Sequence, residues 1–137
     1  MEDQHCFGLR QKLEIIPNAK LSIVGSGHLE QSLNIMAAQM FPTKVVTFLG
    51  RSDKIYDFMS SLHVFILTSK YEGFGMVLLE AMDARIPIVA SRNSAIPEVL
   101  GAEFPGLCRT GDSAEFSMKI GLLNDFNYRK MVLEMQA

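Results

Sequence analysis

The sequence predicts the α/β class, an open Rossmann-like parallel sheet with helices on both faces, and two patterns carry that expectation. Short apolar runs alternate along the chain with longer stretches whose apolar residues recur at helical spacing. Most of the short runs are rich in β-branched or aromatic residues and apolar nearly throughout, as strands buried on both faces of a parallel sheet are. A chain of 137 residues fits one domain, spanning 1–137. Strand–helix alternation at that length implies right-handed βαβ units.

The elements follow in order. Residues 8–16 read as a helix, although a doubly wound sheet normally opens on a strand, so a strand is expected upstream. The first strand is 20–24 (KLSIV), and Leu29, Leu33, Met36, Ala37 and Met40 then mark a helix. The second strand, 45–49 (VVTFL), leads to a helix through Ile55, Phe58, Met59 and Leu62, with Ser52 or Asp53 as its cap. The third, 63–67 (HVFIL), precedes a helix through Val77, Leu78, Ala81 and Met82. The fourth is 87–90 (PIVA) and the fifth 104–108 (FPGLC), the one poor in β-branched residues. Residues 114–123 form a later helix and 125–137 a last one. There is no internal repeat, low-complexity stretch or interior linker.

Composition excludes several function classes. With 48% hydrophobic and 20% charged residues the chain is neither disordered nor a membrane protein. A net charge of −2 argues against a nucleic-acid partner. No apolar run approaches the roughly 18–20 residues a bilayer span needs, and the N-terminus lacks a signal-peptide pattern. Cys6 and Cys108 have no CxxC spacing, which suggests neither a disulfide framework nor a zinc site and leaves a reducing cytoplasm as the default. His5, His28 and His63 are scattered, without carboxylates at ligand spacing, and no Asp-x-Asp occurs. The expectation for a metal is therefore none.

Ligands of open parallel sheets bind beyond the carboxyl ends of the strands, so the loops there carry the chemistry. After the first strand comes Gly25-Ser26-Gly27, where glycine permits a tight turn and close backbone approach to an anion. After the second comes Gly50-Arg51-Ser52. Alone, the first turn is as readily structural as functional, and the second is more often structural. The third loop, TSKYEGFGMVLLEAM over 68–82, is richer. Gly73 and Gly75 flank Phe74 just before a helix, so backbone amides there can face a phosphate without a Cβ in the way. Glu72 lies in the loop and Glu80 in the helix, about 12 Å apart at full helical rise. An anion-binding helix start between two hydroxyl-seeking carboxylates suits a sugar–diphosphate–ribose.

The string SKYEGFGMVLLEAMDARIPIVAS, followed by IPEVL, resembles the signature of the retaining GT-B glycosyltransferases of the "group 1" type. The upstream runs AKLSIVGSGHLEQSL and VVTFLGRSDKIYDFMSSLHVFILTS match the family's preceding elements in order, and the resemblance covers roughly residues 10–125. It implies one half of a GT-B fold, the nucleotide-sugar-binding half. It also implies metal-independent transfer, with retention, from a nucleoside diphosphate sugar, UDP-sugar first, to a hydroxyl acceptor. Glu72 matches the glutamate that holds donor-sugar hydroxyls near the reacting carbon, and is the catalytic candidate. Gly73, Phe74 and Gly75 match the loop under the sugar and diphosphate, and Met76 and Val77 the helix start facing a phosphate. Glu80 matches the glutamate that accepts from the ribose hydroxyls. Gly50 and Arg51 match the loop beside the base, and Gly25 and Gly27 the turn lining the nucleotide.

The sequence departs from the family at His63, where aspartate is usual, at Arg85, where glycine is common, and at Ser94-Ala95, which replace Gly-Gly ahead of Pro97-Glu98. The family's first strand, with its diphosphate-neutralising arginine and lysine, has no counterpart here, and neither does the N-terminal acceptor domain. The resemblance therefore implies a donor domain that partners an acceptor domain, catalyses no transfer alone, and touches a membrane, if at all, through that other domain. The location it implies is cytoplasmic, peripheral at the inner face of the membrane in a longer protein. The alternative is a non-catalytic Rossmann-like nucleotide-binding module. A response-regulator-like domain is weaker, because its acidic cluster at the strand ends is absent.

Overall fold

The computed structural model describes residues 18–25, 27–42, 44–50, 55–70 and 75–137. The helix expected over 8–16 and the caps expected at Ser52 or Asp53 lie outside the described residues. The chain divides into two compact units, Met1–Lys54 and Ile55–Ala137.

In the first unit β1 (Leu21–Val24) and β2 (Val46–Gly50) pair in parallel, with α1 (Glu30–Met40) between them in sequence. The register runs from Leu21 against Val46 and shifts between Ile23 and Val24, so that Val24 meets Gly50. The small core holds Ala37 and Phe41, packed by Met36, Met40, Val45, Val46 and Phe48. Here the expectation of strands buried on both faces fails. β2 alternates, with Val46 and Phe48 half-buried while Thr47 and Leu49 are exposed. Helix α1 packs on one side-chain set only, and the period of two sends the other set to solvent.

The second unit holds a parallel sheet in the order β3-β4-β5: β3 (Phe65–Leu67), β4 (Ile88–Ser91) and β5 (Leu107–Cys108). Its helices are α2 (Ile55–Met59), α3 (Met76–Asp83), α4 (Ile96–Leu100), α5 (Ser113–Leu122) and α6 (Phe126–Met135). Central β4 is buried at all four residues and contacts both α3 and α5, as the continuous apolar run predicts. Around it gather Met59, Leu78, Ala81, Ile96, Leu100, Phe104, Phe116 and Val132. Asp112 and Asp125 cap α5 and α6 by accepting from the Glu115 and Tyr128 amides at 2.9 and 2.8 Å. On the surface the Tyr56 hydroxyl donates to Asp83 at 2.7 Å, tying α2 to α3.

Three element boundaries correct the sequence reading. β5 is two residues long, because the Phe104 amide donates to Gly101 and the Leu107 amide to Phe104, spending in turns the groups a longer strand would pair. Helix α2 stops at Met59, after which Leu62 donates to Met59 in a turn while still packing on the core. Helix α4, over IPEVL, was not marked by the apolar pattern. It starts with Pro97 in its first turn, where the missing amide costs nothing.

Two contacts replace what the short β5 leaves open along β4. Ala90 donates its amide to Gly106, and Ile88, two residues earlier and facing the same way, donates to Gln136 Oε1 at 3.2 Å. Gln136 Nε2 donates to the Ile86 carbonyl at 2.6 Å, so one buried side-chain amide continues the ladder. Gly106 is required at its place: a Cβ there would overlap the Ile88 carbonyl and come within 2.6 Å of Phe104 Cε1.

Candidate functional site

Because β3, β4 and β5 are parallel, their carboxyl ends open on one edge of the sheet. Residues 68–70, 92–95 and 109–112 leave that edge, each following the last residue of its strand: Leu67, Ser91 and Cys108. Asn93 joins the three. Its Nδ2 donates to the Ser69 carbonyl at 2.7 Å and to Thr110 Oγ1 at 2.9 Å. Ser94 follows with a φ of 47°, a left-handed conformation rarely held by a residue other than glycine. This is where the sequence carries Ser-Ala instead of Gly-Gly. Arg92 turns its Nη1 to the Ala102 carbonyl at 2.7 Å, and Arg109 pairs with Asp112 at 3.1 Å.

Helix α3 starts at this edge. Gly75 precedes it at φ 66° and ψ 30°, and the Leu78 and Leu79 amides donate to the Gly75 carbonyl. Among the described residues no side chain caps the helix, so its first-turn amides and the positive end of its dipole can face another partner. Gly75 is buried, and a Cβ on it would lie 3.2 Å from Leu78 Cδ1 and 3.4 Å from Val99 Cγ2. Both the left-handed backbone and the close packing call for glycine. Met76 and Val77 are the first two helical residues. Glu80 sits roughly 6 Å further along the axis. It is half-buried between exposed Leu79 and fully buried Ala81, and no ion pair among the described residues includes it.

Three other sequence-marked glycines, Gly25, Gly27 and Gly50, lie in the first unit. Gly25 donates its amide to the Gly50 carbonyl at 2.8 Å, joining the exits of β1 and β2, and these glycines hold φ of 122° and 65°. A Cβ on Gly25, Gly27 or Gly50 would meet nothing within 4 Å, so backbone conformation rather than space selects glycine at 25 and 50. Arg51, Glu72, Gly73 and Phe74 lie outside the described residues.

Sequence reasoning missed Asn93, Thr110 and the buried Ser91, whose hydroxyl has no partner among the described residues. Asn93 stood in a visible turn cluster, SRNSA, but its partners are 24 residues upstream and 17 downstream, beyond any local pattern. Cys108 is chemically quiet. Burial first, with lesser opposing effects from Lys119 and from Glu115, pushes its thiol up to about 12.

The profile of the family described as "Glycosyl transferases group 1" matches residues 7–128. The N-acetyl-alpha-D-glucosaminyl L-malate synthase of Bacillus anthracis is 34% identical over 110 residues, which are 79% of this chain and 29% of that protein. The pneumococcal O-GlcNAc transferase GtfA, solved with UDP and GlcNAc, superposes with a TM-score of 0.83 at 18% identity, over 98% of this chain and 28% of its own. Anabaena Alr3699/HepE, solved with UDP, gives 0.82 at 24% identity, over 98% and 38%. These likenesses establish the fold, a GT-B glycosyltransferase domain. The chain spans about a quarter to a third of the length of the curated relatives it matches. Among the described residues no helix is long and apolar enough to cross a membrane.

Proposed function

Since the chain belongs to the glycosyl transferases group 1 family, we propose that it binds the donor for a retaining, metal-independent transfer of a sugar from a nucleoside diphosphate to a hydroxyl acceptor. UDP-sugar is the first candidate, and the UDP in the solved GtfA and HepE complexes supports it. The observation that carries the reading is the start of α3: a glycine-entered helix, without a side-chain cap among the described residues, at the carboxyl edge of a parallel sheet, with a half-buried glutamate just over one turn in.

On this reading the Gly75, Met76 and Val77 amides face the diphosphate and stabilise the negative charge that grows on it as the bond to the sugar breaks. Glu80 accepts from the ribose hydroxyls. Glu72 holds the sugar hydroxyls, and its charge is worth most when positive charge develops at the sugar ring. The acceptor is held by a partner domain, so this chain alone transfers nothing: orienting an acceptor supplies about 7–11 kcal/mol of such a barrier. A cytoplasmic reaction, at the inner face of the membrane in a longer protein, follows from the same reading.

Titration of the chain with UDP by calorimetry, beside Glu80→Ala, tests it. The substitution is expected to cost roughly 1.5–3 kcal/mol of affinity, the scale of hydrogen bonds to a charged group, with the fold intact. Equal affinity in a folded variant would remove the ribose role, and absence of UDP binding by the unmodified chain would remove the donor reading.

A further inference from the structure

The segment that carries Glu72 enters from Ser69-Lys70 and leaves into Gly75, and the same stretch of chain touches both flanks. Asn93 holds the Ser69 carbonyl at 2.7 Å, and Val99 of α4 lies against Gly75, where even a methyl group would crowd it. Ser69, Asn93 and Thr110 are each the second residue after β3, β4 and β5. They stand side by side beyond the sheet, and β4 is the central strand, the one with neighbours on both sides. The Asn93 amide thus extends the lateral pairing one step past the last ladder bond. Its orientation is set by chemistry: a carbonyl acceptor at Ser69 requires the Nδ2 donor there, which turns Oδ1 to a buried position without a partner among the described residues. The residue is held from behind as well, since the Ile96 amide donates to its carbonyl at 3.1 Å.

We propose that Asn93 is a positioning residue for the donor site, fixing the chain at Ser69 beyond β3 by its bond to that carbonyl, with Thr110 as a secondary brace. This rests on the donor reading of α3 and deepens it. A carboxylate at this position keeps the volume and loses the donation to Thr110 Oγ1, although it can accept from that hydroxyl once the hydroxyl turns its proton toward it. Ionised, it has no proton for Ser69 and sets two acceptors against each other; protonated, it regains one O–H donor.

The test is UDP affinity of the 137-residue chain against Asn93→Asp, Asn93→Ala and Thr110→Val, measured well below each unfolding midpoint. At pH 7.5 both Asn93 variants are expected to bind UDP about tenfold more weakly, and Thr110→Val within about threefold, the scale of losing one or two hydrogen bonds. The Asn93→Asp deficit relative to the unmodified chain narrows as the solution is acidified, while that of Asn93→Ala does not. A merely structural role leaves the pH profile of that ratio flat. Full UDP affinity at pH 7.5 in folded Asn93→Asp overturns the proposal while leaving the donor reading standing. Should Asn93→Ala fail to fold, the pH response of Asn93→Asp decides alone. No UDP binding by the unmodified chain overturns both.

Discussion

Replacing Gln136 by alanine removes the only side chain among the described residues that completes β4 on its β5 side ahead of Ala90. Two buried bonds go with it, Ile88 N to Oε1 at 3.2 Å and Nε2 to Ile86 O at 2.6 Å. Gln136 is 2% exposed and Ile88 0%, so the stranded amide and carbonyl have no ready access to water. Each unsatisfied buried group costs about 1–3 kcal/mol, so the pair is put at about 3–5 kcal/mol together, the middle of the summed range. Against a total stability of about 5–15 kcal/mol that is a large fraction. At about 3–4 °C per kcal/mol for a chain of this length, the thermal midpoint falls by about 9–20 °C. Urea unfolding followed by far-ultraviolet circular dichroism measures it, with Gln136→Leu as control. Leucine restores volume without restoring bonds, so it should recover little. A Gln136→Ala chain within about 0.5 kcal/mol of the unmodified one, the range of ordinary surface changes, would refute the ladder argument. So would a Gln136→Leu chain as stable as the parent.

The remaining expectations follow from single positions. Gly106→Ala forces a Cβ into the Ile88 carbonyl, and since backbone is the obstacle the chain is expected to express insoluble or unfold at ambient temperature; a midpoint within a few degrees of the parent would contradict this. Cys108, in a chain carrying Cys6→Ser, should resist alkylation at pH 8 until denaturant is added. Its thiol is pushed from 9.0 up to about 12, so between those values the unfolded state has lost a proton the folded state keeps. Stability therefore falls as pH rises through that window, by at most about 1.4 kcal/mol per pH unit, and a flat urea midpoint from pH 9 to 11 would argue against the burial account. Glu72→Gln should leave UDP affinity nearly unchanged while lowering transfer in a chain that includes an acceptor domain; equal loss for UDP and UDP-sugar would contradict the sugar-side role.

The sequence by itself determined the order and kind of most elements, because burial repeats at a period local patterns expose. PIVA and VVTFL read as strands from their residues alone, and the helix through Val77, Leu78, Ala81 and Met82 buries Leu78 and Ala81 as its spacing implies. Glycine at 75 was legible as a helix start from its place between a strand and a run of apolar residues at helical spacing. Tertiary structure alone decided the rest. It left β2 half-exposed, cut β5 to two residues because turn bonds captured its backbone, and made a helix of IPEVL where the apolar spacing marked none. It also chose Asn93 and Gln136, whose partners lie 24 and up to 50 residues away. Hydrogen bonds over such separations leave no periodic trace. The residues that make them are ordinary polar letters until folding brings a bare carbonyl within 3 Å of the amide.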